Sequence, residues 1–230
     1  LRVVDYGEAD RVVTLLTRTH GRVSAVARAA RKSKRRFAGS LEGFALISVE
    51  LVFGKGALAR LVSAQVTRSF PRLLGDLSRL EAAGALMRLA RDVVPERVPD
   101  LAVYEALTDS LEALDRPELP ARPLQVAAQA YLLAVTGFAP LLSACAICGK
   151  IPREGQTALF DPARGGVVCR ACGGGPERLS AIVRTRLGLA FEGRVIEAAA
   201  ADWTQEQQRE AERLLSRFVA HLLPQSPPYA

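Results

Sequence analysis

The sequence predicts an α+β protein: an N-terminal OB-fold β-barrel over 1–72, then an α-helical bundle over 73–230 that carries an inserted four-cysteine, zinc-ribbon-like module at 143–176. Three observations carry this reading. The first seventy residues alternate apolar and polar side chains at the strand period and are rich in Val, Thr and Leu. From Pro71 the apolar period lengthens to that of a helix. All four cysteines fall into two C-x2-C pairs. With 230 residues, 49% of them hydrophobic, the chain can bury a real core.

In chain order, "DRVVTLLTRTHGRVSAVARAA" gives two alternating runs joined by a turn at Thr19–Gly21, which predicts a hairpin. "LEGFALISVELVFGKGALARLVSAQVTRSF" continues the alternation, with a second turn at Phe53–Gly56. Four or five short strands with no helical run between them fit a small closed or partly open barrel better than a sandwich. Beyond Pro71, "LSRLEAAGALMRLARDVV" places Leu77, Leu80, Leu86 and Leu89 on one helical face. Asp100 is placed to cap "LAVYEALTDSLEALD", and Pro123 to sit in the first turn of a helix ending at Gly137. Two further helices are expected after the cysteines, "LSAIVRTRLGLAFEG" and a segment capped by Thr204, and the helices on both sides of the cysteine segment are expected to form one bundle.

The net charge of +7 is unevenly spread. Residues 1–72 hold 14 Lys and Arg against 5 Asp and Glu, net +9, so the remainder of the chain is slightly acidic. Within "ARAARKSKRRFAG", Arg28, Arg31, Lys32, Lys34, Arg35 and Arg36 follow one another with no acid. Such a run repels itself unless a polyanion neutralises it, and phosphates of a nucleic acid would do so with counterion release. Phe37 then reads either as a stacking surface for an unpaired base or as a core anchor where the chain returns to the barrel. A solvated loop without a ligand is the plain alternative for the cations. His20, His221 and Trp203 have no evident chemical partners and read as turn or packing residues.

The cysteines form Cys145-x2-Cys148 and Cys169-x2-Cys172, separated by twenty residues, each pair followed by a glycine, Gly149 and Gly173. This is the spacing of a structural Zn2+ site, because each C-x2-C turn presents two thiolates to one side of a metal. Between the pairs, "TALF", "DPARGG" and "VVC" read as a ribbon hairpin. Four thiolates leave no open coordination position, which argues against a catalytic metal. Two disulfides conflict with a cytosolic setting, and a redox C-x2-C leaves the second pair unexplained. The module could act only as a staple, or could set Lys150, Arg164 and Arg170 beside a nucleic acid. The glycines of "CGGGPE" read as a knuckle turn, since no Lys-Ser/Thr completes a phosphate loop.

No run reaches the length of an apolar membrane span, and the opening residues lack a signal-peptide pattern; a cytoplasmic protein with no membrane partner is expected. The chain opens on Leu1 rather than Met, so a few preceding residues are expected. It has no G-x-S-x-G, Walker loop or H-E-x-x-H, and its acids are scattered along helix faces, so binding rather than catalysis is expected.

"DYGEADRVVTLLTRTHGRVSAVARAARKSKRRFAGSLEGF", "YLLAVTGFAPLLSACAICGK" and "ALFDPARGGVVCRACG" together resemble the bacterial RecO family of recombination mediators, over almost the whole chain. The resemblance implies an OB-fold, a helical bundle and a zinc-binding insertion. It further implies binding of single- and double-stranded DNA, annealing of complementary strands, and, with RecR, loading of the RecA recombinase onto strands coated by single-stranded DNA-binding protein, in the bacterial cytoplasm at the nucleoid. By position, Cys145, Cys148, Cys169 and Cys172 match the family's zinc ligands, and Arg28 through Arg36 fall where the DNA-binding face of the barrel is expected. Where the family pattern commonly has a glycine after Ala-Arg, this sequence has Ala29. The alternative from another class is an RNA-binding or ribosome-associated zinc-ribbon protein; a protein-binding scaffold and, more distantly, a metal-dependent nuclease are further rivals.

Overall fold

The computed structural model describes residues 1–33, 35–37, 39–41 and 43–223. Five strands open the chain: β1 (Arg2–Tyr6), β2 (Asp10–Thr17), β3 (Gly21–Ala27), β4 (Ala45–Val52) and β5 (Ala59–Ser69). They form one sheet in the order β1-β2-β3-β5-β4, antiparallel except between β3 and β5. This is the mixed strand order of a five-stranded, partly open barrel of the OB type. Among the described residues no ladder joins β1 to β4.

The alternation seen in the sequence sets which side faces inward. In β3, Gly21, Val23, Ala25 and Ala27 are buried while the residues between them are half-buried. Register Val13↔Ala25 brings the buried residue of β2 over the same face. Val13, Val23, Phe37, Leu41 and Leu61 fill the interior, flanked by Leu15, Ile47, Val49 and Leu51. The β4–β5 pair is the longest in the sheet and carries two register shifts, at Leu46/Ile47 and Glu50/Leu51. Such irregularities bend a strand pair and supply the curvature a barrel needs.

The chain divides into two compact units, Leu1–Pro117 and Glu118–Ala230, so the first helices are grouped with the sheet. These are α1 (Pro71–Leu74), α2 (Leu77–Val93) and α3 (Leu101–Leu114). Asp76 caps α2 by accepting from the N–H groups of Ser78 and Arg79, and Asp100 caps α3 by accepting from Val103. The buried Arg79 donates to the carbonyls of Leu114 (2.7 Å), Arg116 (2.8 Å) and Pro117 (3.1 Å). A helix C-terminus leaves such carbonyls without intrahelical partners, and a guanidinium meets several at once. Asp115 in turn accepts from the N–H groups of Arg72 and Leu73 at the start of α1.

In the second unit, α4 (Ala121–Val135) precedes the cysteines, while α5 (Ala181–Phe191), α6 (Val195–Ala200) and α7 (Gln205–Leu222) follow them and pack against it. Helix α4 begins two residues earlier than the sequence suggests, with Pro120 as its N-cap and Pro123 in the third position. Thr204 and Gln207 form a reciprocal capping box on α7. Between α4 and α5 lies a small sheet of β6 (Ala158–Asp161), β7 (Gly166–Val167) and β8 (Glu177–Leu179) in the order β7-β6-β8. The expected hairpin is β6–β7; β8 is an additional strand on the other side of β6. No helix among the described residues is long and apolar enough to cross a membrane.

Candidate metal centre and basic loop

Each C-x2-C turn is closed by backbone hydrogen bonds, in a pattern of its own. In the first, the Cys145 N–H donates to the Lys150 carbonyl and the Gly149 N–H to the Cys145 carbonyl, both at 2.9 Å. In the second, the N–H groups of Cys172 (2.9 Å) and Gly174 (3.1 Å) donate to the Cys169 carbonyl. The glycine after each pair is left-handed, φ 71° at Gly149 and φ 100° at Gly173, which a side chain would resist. The turns are tied together by the Ala146 N–H to the Val167 carbonyl (2.8 Å) and by the Cys169 N–H to the Cys145 sulfur (3.3 Å).

This arrangement gathers all four sulfurs within 4.8 Å of one another. Cys148 and Cys169 Sγ are 3.7 Å apart, far beyond a disulfide bond. A tetrahedron with metal–sulfur bonds of about 2.3 Å has edges of about 3.8 Å, so the group fits one tetrahedral ion with thiolate ligands. The surroundings push two of the thiols in opposite directions. The N–H groups of Cys169, Cys148 and Ile147 hold the Cys145 thiol down at about 6, whereas hydrogen bonds to the Cys169 and Cys148 sulfurs, with burial, push Cys172 up to about 12.

The basic segment connects β3 to β4 and is pinned at several points. The Ala29 N–H donates to the Asp10 carboxylate (2.7 Å), and the Arg31 N–H to the Ala9 carbonyl (3.1 Å). The Arg31 guanidinium reaches the Glu8 carbonyl (3.3 Å) and lies 3.7 Å from Asp5, which also pairs with Arg11. At the far end the Ala64 N–H of β5 donates to the Arg36 carbonyl (3.0 Å). Arg36 itself donates to the Arg28 carbonyl (2.9 Å) and lies over the Phe37 ring at 5.2 Å. Ala29, at the position of the family's usual glycine, takes φ 54°.

The six cations therefore fall into different groups. Arg28, Lys32 and Arg35 are exposed and form no ion pair or side-chain hydrogen bond among the described residues, while Arg31 and Arg36 are exposed but tethered. Lys34 lies outside the described residues. Phe37 is 2% exposed and belongs to the barrel core, so its ring is an anchor and offers no face to a base. The structure also places Asp5, Glu8 and Asp10 as the anchors of the loop. Their sequence signal was the cluster of acids in "DYGEAD", beside an otherwise basic region.

A five-stranded mixed sheet bearing a cation-rich loop, followed in the chain by helices interrupted by a four-cysteine cluster that could hold one metal ion, defines an α+β protein with a candidate metal module. Residues 1–70 match the family model of the recombination protein O N terminal, and residues 74–228 that of its C terminal. The chain is 41% identical over 228 residues to a DNA repair protein RecO of Anaeromyxobacter sp. (strain K), covering 97% of this chain and 89% of that one. It is 37% identical over 224 residues to that of Myxococcus xanthus, with the same coverage, and 35% identical over 229 residues to that of a Nocardioides species, covering 96% and 90%. The chain belongs to the RecO family of DNA repair proteins.

Proposed function

We propose that this protein is a recombination mediator that binds single- and double-stranded DNA, anneals complementary strands and, with RecR, promotes loading of RecA onto DNA coated by single-stranded DNA-binding protein. It works by binding, without catalysis, in the bacterial cytoplasm at the nucleoid. The DNA-binding domain is the barrel, residues 1–72, and the contacts are made by Arg28, Arg31, Lys32, Lys34, Arg35 and Arg36 to phosphates. The observation that carries the reading is the run of cations on a backbone fixed to the β1–β2 turn and to β5, with Arg28, Lys32 and Arg35 uncommitted among the described residues. Because the loop is held, little ordering entropy opposes contact with a strand.

Phosphate contacts carry no sequence information, which suits a protein that must act on any broken DNA. Two strands held on one cationic surface lose much of their mutual repulsion, and pairing becomes close to intramolecular. Cys145, Cys148, Cys169 and Cys172 hold one structural Zn2+. A closed tetrathiolate site has no position for substrate or water, and its chemistry is to stabilise the fold of 143–176.

The test is annealing of complementary oligonucleotides, bare and coated with single-stranded DNA-binding protein, with and without RecR. Accelerated annealing of DNA supports the proposal. Preference for RNA over DNA at equal length and salt would instead place the chain with RNA-binding zinc-ribbon proteins.

A further inference from the structure

Beside the metal centre is a cavity of about 500 Å3 walled by residues from both cysteine turns and from the sheet between them. Leu159 and Val168 form part of its apolar floor, and Lys150, Arg153, Arg170 and Arg178 stand around it, all four exposed. No carboxylate lines it, and none of the four cations forms an ion pair or side-chain hydrogen bond among the described residues. Cations nearby but away from the cavity behave differently. Arg164 pairs with Asp161 and donates to the Cys172 carbonyl, and Arg217 and Arg213 pair with the buried Glu177.

We infer that this cavity is a second nucleic-acid site, which binds the phosphodiester backbone of single-stranded DNA. The inference rests on the DNA-binding reading above and adds a site outside the barrel. Four cations from three stretches of the chain, Lys150 and Arg153 after the first cysteine turn, Arg170 within the second and Arg178 on β8, suit a ligand that carries repeated negative charges along a path. A Zn2+ tetrathiolate carries a formal double negative charge, which offsets only part of this excess. A concavity of this size accepts the backbone of one strand, whereas a duplex presents its phosphates on a convex surface. No aromatic side chain lines the cavity, so bases are not stacked there and the contact is indifferent to sequence.

The experiment photo-cross-links halogenated oligothymidylate to the zinc-loaded full chain, maps the adducts, and measures affinity across a salt series. Wild type is compared with Lys150→Gln/Arg153→Gln/Arg170→Gln/Arg178→Gln and with Arg28→Gln/Lys32→Gln/Arg35→Gln. Adducts within 145–178, together with a salt slope in the cavity variant lower by about 2–3 from the loss of up to four contacts at ~0.7 each, are the expected result. Zinc content is measured on each variant; if the cavity variant loses metal, the wild-type adduct map alone decides. Wild-type binding with no adduct in 145–178 overturns the inference and leaves the proposed function standing. Failure of wild type to bind any DNA overturns both. Saturation of the cavity by an acidic peptide with no competition from the oligonucleotide would overturn the choice of ligand.

Discussion

Neutralising Arg28, Lys32 and Arg35 together to Gln isolates the phosphate contribution of the basic loop, because none of the three is committed to another group among the described residues. Folding should be untouched: the pins of the loop are the Ala29, Arg31 and Arg36 contacts, all retained. Each lost contact lowers the slope of log affinity against log salt by ~0.7 on a single strand and ~0.9 on a duplex, so three contacts remove about 2 and about 2.7. Between ~50 and ~200 mM salt the wild type then weakens about 18-fold more than the variant on single strands and about 40-fold more on duplex. Fluorescence anisotropy across that range, with melting temperatures in parallel, reads both quantities. A slope unchanged in a variant that melts with the wild type would refute the assignment of the loop to phosphate binding.

Four other outcomes are expected. Phe37→Ala should cost ~3–5 kcal/mol in denaturant unfolding, as a lost core aromatic, and at temperatures where the variant stays folded its affinity for single strands should hold. Ala29→Gly should stabilise by up to ~1 kcal/mol, since a left-handed alanine costs ~1–2 kcal/mol and glycine returns part of that as chain entropy. Metal analysis should give one Zn2+ per chain, and chelation should raise hydrogen exchange in β6–β8 before it does in the β1–β5 sheet. Zinc affinity should fall with acidity: above pH about 6 Cys145 is already ionised while Cys172, pushed up to about 12, must still lose its proton. Below pH about 6 Zn2+ must displace the Cys145 proton as well, so the dependence steepens there by about one proton, readable by competition with a chromophoric chelator.

Much of this was legible in the sequence because it depends on local chemistry. Asp100 and Thr204 cap helices through oxygen atoms within three residues of their donors, and the C-x2-C turns close within five residues, so spacing alone located them. Strands β2 to β5 showed through their alternation. What escaped depends on partners distant in the chain. Strand β8 has only three residues and exists because Ala158–Phe160 pair with it. Helix α6, Val195–Ala200, is too short to show a period and is held by its packing on α4 and α5. Phe37 could have faced a base or the core by sequence alone, and only the positions of Leu61 and Ala64 on β5 decide it. The sorting of the cations into free and tethered depended on Asp5 and the Glu8 carbonyl lying across from Arg31, and on the Arg28 carbonyl lying within reach of Arg36.

The metal module's sheet is fastened to α7, which lies well downstream of it. Phe160 of β6 meets Phe218 edge to face at a centroid distance of 5.9 Å, Glu177 of β8 pairs with Arg217, and the Ser180 N–H donates to Glu210. During synthesis the cysteines therefore leave the ribosome before the helix that supports them exists. The proposed Zn2+ would need only the four thiols between Cys145 and Cys172 and would be captured in that interval, setting the knuckles while β6 and β8 still lack their backing. The module can thus be set before α7 is made, and a chain made without the metal would bring out an α7 that finds its partners α4 and α5 but lacks an ordered β6 and β8 for Phe218 and Arg217 to meet.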